Sequence, residues 1–548
     1  MFQKNAGLKP GATLPSNYGR AGAWAGAAPE NQVRAHENSN LPGPSQPEMC
    51  VVTLDVGTSS VRTVLFDERG REVGGFGAHI PYEVNTTADG GVEVGADELA
   101  ALVVEGLSRI HAQMKSARLR PSAVAFSAFW HNVLGVSADG RPTTPVLHPF
   151  DTRSSGAARK LAERIDPRRL HARTGCVPHP SYVPAKLLWL SESLPDVFRA
   201  TRRWMSFGEY FFLKLFGRAV ASTSMVSGSG LWNQRQNDYD AEVLAALPVE
   251  LGQLCPVEEM DRPQTELRAE YKSLWPEFAG APWYPALGDG ACNNIGSGCL
   301  APDRFALMVG TSGAMRAVLE APGSSEISDL KFEIPEGLWC YRVDRSRYIL
   351  GGALSNGGLV FQWMKRNLRL PPDEEIEKKL TPMSPGGHGL TVLPLFAGER
   401  STKWRAEARA AIAGLAAHTG PLEILRAGLE SVALRFRDIY DIMTRGLGAP
   451  GEVVASGGAL LRSPAWTQMM ADALGRPVIA CLENEASSRG AALLALERLQ
   501  VIRHVRDLPA RTGKVFDPVE AHRRAYEIEL ERQHRFYARL FEDNGNGS

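Results

Sequence analysis

The chain lacks a charge imbalance, a long apolar run and any cysteine pairing pattern. Its 548 residues carry 61 Lys and Arg against 61 Asp and Glu, so no basic field draws nucleic acid or an anionic membrane surface. No uncharged apolar stretch approaches the roughly 18 residues needed to span a bilayer, and no charged segment followed by an apolar one opens the chain. Neither nucleic acid nor membrane is therefore an expected partner, and a cytoplasmic protein is the expectation. The seven cysteines are odd in number, scattered and without a CxxC, which argues for reduced thiols and against a disulfide framework or a zinc site. The chain is too long for one hydrophobic core, so two or more domains are expected.

What the chain does have is a repeated motif. Val56 to Ser59 and Val309 to Ser312 both read VGTS, each between two short apolar runs. Both segments read as strand, small polar turn, strand. Gly tolerates positive φ, and consecutive Thr and Ser present N–H and hydroxyl groups at a tight turn, which suits phosphate oxygens. Gly-Thr-Ser is also an ordinary hairpin turn, but the flanking periodicity and an Arg after each copy, Arg62 and Arg316, favour duplication of a polyanion-binding hairpin.

Residues 1–48 are rich in Gly, Ala, Pro, Asn and Ser without periodicity and read as a disordered leader. Met49 directly precedes the first strand, so translation is expected to start there; N-terminal mass analysis of the endogenous protein finding residues from Met1 would refute this. From Cys50 onward strands (Ala123 to Ser127, Leu134 to Gly140) alternate with helices (Ala100 to His111, Ala157 to Ile165), an α/β pattern. The runs from Lys186 and from Trp204 read as helices closed by Pro or Gly. A second α/β block begins near Leu287, with a helix at Pro421 to Thr444, a strand ending at Gly458 and a helix after Ser463. A polar helix over about Pro518 to Phe541 carries Tyr526, Leu530, Tyr537 and Phe541 as an apolar stripe.

Five strings, LDVGTSSVRTVLFD, GDGACNNIGSG, MVGTSG, GGALSNGG and ASGGALLRSPAWTQMMADALGRPV, resemble the FGGY carbohydrate kinase family in order and spacing, over nearly all of Cys50 to Leu496. The resemblance implies an α/β fold of two ribonuclease-H-like (actin-like ATPase) domains, with a sugar and MgATP meeting in the cleft between them. It divides the chain into the leader 1–48, an N-terminal domain 49–296, a C-terminal domain 297–500 and a helical extension 501–548. The two hairpins become opposed phosphate loops, Gly57, Thr58 and Ser59 on one side and Gly310, Thr311 and Ser312 on the other. Phosphoryl transfer needs such positioned donors more than covalent chemistry.

Asp55, delivered into the cleft by the first strand, suits Mg²⁺ directly or through water. Asp289 alone reads as a helix cap, but its place ahead of the second loop matches the family's catalytic Asp, which takes a proton from the acceptor hydroxyl. Trp130 and His131 match a sugar-contacting pair; Trp130 departs from the usual Met and either stacks on the sugar or narrows the pocket. Asp151 and Arg153, in an Asp-Thr-Arg-Ser run most like the gluconokinase branch, are candidates for polar contacts to the acceptor, and Arg153 suits a carboxylate. Gly457 and Gly458, with Ser456, let the backbone approach adenosine, and Gly351, Gly352, Asn356 and Gly357 fit a second wall. Glu399, Arg400 and Trp404 read as structural support beside the cleft.

The expected activity is transfer of the ATP γ-phosphate to a terminal hydroxyl of a sugar or sugar acid, gluconate leading and xylulose or another ketose or polyol as runner-up. A non-catalytic sensor of the same fold, or an actin-like ATPase doing conformational work, is the alternative class. Retention of Asp55, Asp289 and both loops argues against it, since binding alone needs no base. A homodimer is entertained, although no residue pattern fixes the oligomeric state.

Overall fold

The computed structural model describes residues 47–320 and 333–542. The expected leader, apart from Pro47 and Glu48, and the last six residues of the extension lie outside them. All seven cysteines are buried free thiols.

Two mixed sheets repeat one plan. In the first, Cys50–Val56 and Ser60–Asp67 form an antiparallel hairpin, Glu72–Pro81 extends it, and Ala123–Ala128 lies parallel to Cys50–Val56 on the other side. In the second, Arg304–Val309 and Gly313–Glu320 form the hairpin, Arg347–Leu354 extends it, and Glu452–Ser456 lies parallel to Arg304–Val309. A parallel pair needs a crossover, supplied by the helix Ala96–Ser116 in the first sheet and Pro421–Leu447 in the second. Both VGTS segments are hairpin turns, as their flanking periodicity implied.

The repeat slips in register. Val56 pairs with Val61, whereas Val309 pairs with Gly313, so the second turn is one residue shorter. Superposing these pairs makes Met308 the counterpart of Asp55, and Ala314 that of Arg62. Arg316 sits two residues farther along, opposite Ala306, on the same strand face but about 7 Å deeper at the usual strand rise. The two arginines that look matched in sequence are therefore not equivalent.

One face of the second sheet, with Met315, Ala317 and Leu350, has its own apolar core, while its other face, with Ala314, Val318, Tyr341 and Ile349, joins the core of the first. Leu99, Val103, Leu107, Ile110 and Met114 of the first crossover helix pack with Val51, Val52, Leu54 and Val56, the spacing of one helix face. Leu493, Leu494 and Leu496 join the same core. Their helix, Ala486–Arg498, comes late in the chain but packs into the first core, so the boundary expected at residue 296 separates segments and not cores. Where this helix crosses Asp289–Gly296 the backbones touch. A β-carbon on Gly490 would fall 1.8 Å from the Cys292 carbonyl oxygen, and one on Gly296 would fall 1.8 Å from that of Ala486.

The middle region departs from its reading in one respect. Trp204 and Met205 do not open a helix; they form the strand Arg203–Met205 against Leu134–Val136. The helix is Phe207–Phe216, fixed at its start by a capping box of Ser206 and Glu209 and closed by Gly217 at φ 75°. The helix from Val183 ends at Ser193, and Pro195 opens the next one at its first position. At the C-terminus, Glu520–Phe541 buries Tyr526 and Tyr537 and leaves Leu530 and Phe541 partly buried.

Candidate active site

Residues from both sheets enclose two adjoining cavities. The first, of about 90 Å³, has aromatic walls that include Phe129, Trp130, Phe150, Tyr182, Trp339 and Tyr341. Its polar groups include Thr58, His131, Asp289, Ser312, Arg316 and Arg400. The second, of about 310 Å³, is bordered by Asp55, Arg62, Asn293, the Ser456 to Gly458 turn and the Glu483 to Ser487 segment. Asp289, Met308 and Arg316 border both.

Asp289 is the first residue of the helix Asp289–Gly296, and Gly288 is its cap. Its carboxylate accepts from its neighbour's N–H, Gly290 N at 2.8 Å, and has no ion-pair partner among the described residues. Burial pushes its pKa up to about 6, opposed by the Arg316 guanidinium and assisted by Asp55. Gly288 and Gly290 make room for Trp130: a β-carbon on Gly288 would lie 1.9 Å from the indole, and one on Gly290 2.6 Å away. The Trp130 indole donates to the Ser224 carbonyl at 2.9 Å and is 5% exposed. Of the two roles expected for this ring, narrowing the pocket is the one its burial fits.

His131 adopts φ 64°, an uncommon conformation for a non-glycine residue that aims its ring at the cavity. Its Nδ1 lies 2.6 Å from the Gly228 carbonyl oxygen and so carries the proton, leaving Nε2 as an acceptor. Burial pushes its pKa down to about 3, so the ring is neutral. Lys186, fully buried beneath it, donates to the carbonyls of His131 at 2.7 Å and Ser181 at 2.9 Å.

The two turns are braced differently. Thr58 and Ser312 border the first cavity, whereas Gly57, Ser59, Gly310 and Thr311 border neither. The Gly57 carbonyl accepts from Tyr82 Oη at 2.5 Å. The Gly310 and Thr311 carbonyls accept from the N–H groups of Gly358 at 2.8 Å and Leu359 at 3.0 Å, the start of the helix Gly358–Asn367. A β-carbon on Gly357 would fall 2.5 Å from the Ser312 carbonyl oxygen, so the turn and this helix start are in backbone contact.

Three expectations require correction. Asp151 and Arg153 do not border the cavity: Arg153 Nε lies 3.1 Å from Asp151 Oδ2, and its Nη2 lies 2.6 Å from Glu93 Oε2. They are spent on each other, and Phe150 beside them faces the cavity instead. Gly352 and Asn356, expected at the nucleotide, border neither cavity. A β-carbon on Gly352 would strike Ile439 at 2.7 Å, so that glycine seats the helix Pro421–Leu447. Asn356 donates to the Gly398 carbonyl and accepts from Ala397 N, both at 2.8 Å, and so holds the turn before Arg400. The third correction is Arg400 and Trp404, which line the first cavity and are not mere support beside it. Glu399 does support them, accepting from Tyr537 Oη at 2.5 Å and pairing with Arg435.

Gly457 and Gly458 border the second cavity. Gly457 has φ 90°, and a β-carbon there would fall 2.4 Å from the Val309 carbonyl oxygen, so only glycine closes this approach. Asp55 is buried at the same cavity; it accepts from Ser127 Oγ at 2.7 Å and lies 3.5 Å from Arg62 Nη1. Glu485, which the sequence reading missed, lies 3.6 Å from Arg62 Nε. A carboxylate opening a helix just after a parallel strand was the available signal. Burial raises the pKa of Asp55, and it pushes that of Glu485 to about 6. Two carboxylates that share the one guanidinium of Arg62 fit a divalent cation that keeps waters and phosphate oxygens as its remaining ligands. No cluster of three or more His, Cys, Asp or Glu suited to a metal occurs among the described residues, so an all-protein cage is not what they build.

Comparison with known proteins identifies the family. Residues 50–296 match the N-terminal domain of the FGGY family of carbohydrate kinases, and residues 306–497 match its C-terminal domain. A gluconokinase of Bacillus subtilis (strain 168) is 27% identical over 457 residues, covering 81% of this chain and 86% of that protein. A xylulose kinase of Staphylococcus xylosus is 22% identical over 449 residues, covering 81% and 90%. The crystal structure of gluconate kinase from Lactobacillus acidophilus superposes with a TM-score of 0.81 at 25% identity, covering 91% of this chain and all of that one.

Proposed function

The chain belongs to the FGGY family of carbohydrate kinases and is an ATP-dependent phosphotransferase acting on an alcohol group; from that premise we propose that its acceptor is a sugar acid, D-gluconate foremost. The observation that carries this reading is the charge of the first cavity, which holds two guanidinium groups, Arg316 and Arg400, against the one carboxylate of Asp289. Neither arginine has an ion-pair partner among the described residues. A site of net positive charge with aromatic walls suits a polyol bearing a carboxylate. The gluconokinase relatives support the same choice. Xylulose is the second reading: the same aromatic walls accept a neutral ketose, and xylulose kinases stand among the relatives.

The acceptor occupies the first cavity and ATP the second. Asp289, at their junction, takes the proton of the terminal hydroxyl as its oxygen forms the bond to the γ-phosphorus and the bond to the ADP oxygen breaks. The neutral Nε2 of His131 accepts from an acceptor hydroxyl and fixes its orientation. Asp55 and Glu485 would hold Mg²⁺, whose charge when bound offsets that of the phosphate oxygens. Thr58 and Ser312 present hydroxyls from opposed turns, and the aromatic walls keep water from competing for the phosphoryl group.

A coupled ADP-release assay against gluconate, xylulose, ribulose, glycerol and erythritol tests the acceptor. Gluconate is expected to give the highest kcat/KM, and preference for a neutral acceptor would overturn the choice. Asp289→Asn is expected to lose about 100-fold or more in kcat, the usual span for a positioned base, while still binding gluconate. Near-full turnover by this variant would remove Asp289 from its role.

A further inference from the structure

Arg316 stands apart from the other deeply buried arginines. Arg342 donates to the carbonyls of Arg345 and Gln234 and to Tyr348, Arg347 pairs with Asp344 and Glu497, and Arg426 with Glu430. Arg435 pairs with Glu399 and Asp438, and Arg489 with Glu483. Arg316 is 7% exposed, yet its guanidinium makes no hydrogen bond or ion pair with any described residue. Its Nε and Nη1 are enclosed without a partner, which leaves Nη2 as the nitrogen open to the cavities. Proteins rarely bury a charge in this way unless a ligand completes it.

Its place in the fold says which ligand. Arg316 sits two pairs deeper along its hairpin than Arg62 does in the first, opposite Ala306 and Gly351. A β-carbon on Gly351 would crowd the Arg316 stem at 3.1 Å, and one on Gly290 would lie 3.3 Å from its guanidinium carbon. The cation is thus threaded between the strand that carries Gly351 and the helix start that carries Asp289, where the two cavities meet. Arg400 borders the acceptor cavity and not the nucleotide one. Its Nη2 donates to the Leu354 carbonyl at 3.1 Å, and its Nε has no partner. Trp404 Nε1, beside it, is likewise unpartnered.

We propose that the two arginines divide the substrates between them: Arg316 is a catalytic cation that holds the γ-phosphoryl oxygens in transit, and Arg400 reads the carboxylate at the far end of the acceptor. The role of Arg400 rests on the sugar-acid reading above; that of Arg316 rests on the kinase reaction alone. Charge that gathers on the phosphoryl oxygens as the bond to ADP breaks meets a fixed, desolvated guanidinium, the setting in which electrostatic stabilisation acts most strongly. Seating the carboxylate at Arg400 directs the opposite end of the acceptor toward Asp289.

The test uses the full-length enzyme with two readouts, steady-state turnover with whichever acceptor the wild type phosphorylates best and gluconate binding by calorimetry without nucleotide. Arg316→Gln is expected to lower kcat about 100-fold or more, the scale of losing one transition-state donor, with KM and gluconate affinity within about threefold. Arg316→Lys is expected to recover part of kcat, since it restores charge without the guanidinium fork, and thermal melts show whether either variant has lost its fold. Arg400→Gln is expected to weaken gluconate binding about tenfold or more, the order of one charged contact, and to lower the preference for gluconate over xylulose. An Arg316→Gln variant that keeps wild-type kcat, or that loses gluconate binding while Arg400→Gln retains it, overturns the division. If the wild type binds no gluconate but turns over a neutral acceptor, Arg400 loses its role and the sugar-acid reading falls, while kcat of Arg316→Gln still decides the role of Arg316.

Discussion

At the residue scale the site is governed by burial. Asp289 is held at about 6 because desolvation outweighs the attraction of Arg316, which puts the proposed base near neutrality without committing it to a proton. A base must be deprotonated, so activity is lost as pH falls through the pKa. The log of kcat/KM is expected to bend near pH 6, with Arg316 and Arg400 lowering that value and Asp55 raising it. A bend near pH 4, where an ordinary carboxylate titrates, would mean that Asp289 is not the group observed. Glu485 gives a second residue-scale prediction. Glu485→Gln is expected to raise the Mg²⁺ concentration for half-maximal turnover several-fold with the acceptor KM unchanged; an unaltered Mg²⁺ titration would remove Glu485 from the metal side. Asp289 was legible in sequence because its string carried a family pattern. Arg316 was visible as an arginine after a turn but was read as a mark of duplication. Its function depends on strand register and on the lack of a partner, and neither is written locally.

At the element scale, what reaches the site is set by turns and caps. One residue fewer in the second VGTS turn moves the counterpart of Asp55 to Met308 and that of Arg62 to Ala314, so the second hairpin gives up the acid and base of the first. The strands, hairpins and main helices were readable because apolar period and turn chemistry are local. The strand at Trp204 was not, because its pairing with Leu134–Val136 overrides a helical-looking run. The final helix carries a further prediction. Tyr537 donates to Glu399, next to Arg400, and Arg435 pairs with the same carboxylate. Tyr537→Phe leaves that buried carboxylate one donor short and is expected to cost about 2 kcal/mol, the usual span for a hydrogen bond to a charged group, and to weaken gluconate binding through Arg400. Urea unfolding and calorimetry check the two effects. Unchanged stability and affinity would make this helix a covering and not a brace.

At the scale of the whole molecule, the first cavity is bordered by residues of both halves, including His131 and Asp289 beside the first sheet and Ser312, Arg316 and Tyr341 of the second hairpin and its sheet. A motion of the two halves would open it, and closure would exclude water from the γ-phosphate. Small-angle scattering is expected to show a smaller radius of gyration with gluconate and a nonhydrolysable ATP analogue together than with neither; an unchanged profile would count against closure. Apolar periodicity pointed to an α/β architecture, and five short strings pointed to the family and singled out Asp289 as a candidate base, because turn chemistry and strand patterning act over a few neighbouring residues. Only the tertiary structure decided which polar groups are spent and which are left for a ligand. Asp151 and Arg153 had the right chemistry and paired with each other; Arg316 and Arg400 looked incidental and were left without a carboxylate partner among the described residues. That difference depends on contacts between segments far apart in the chain, and a charge is available to a substrate only where folding has given it no other partner.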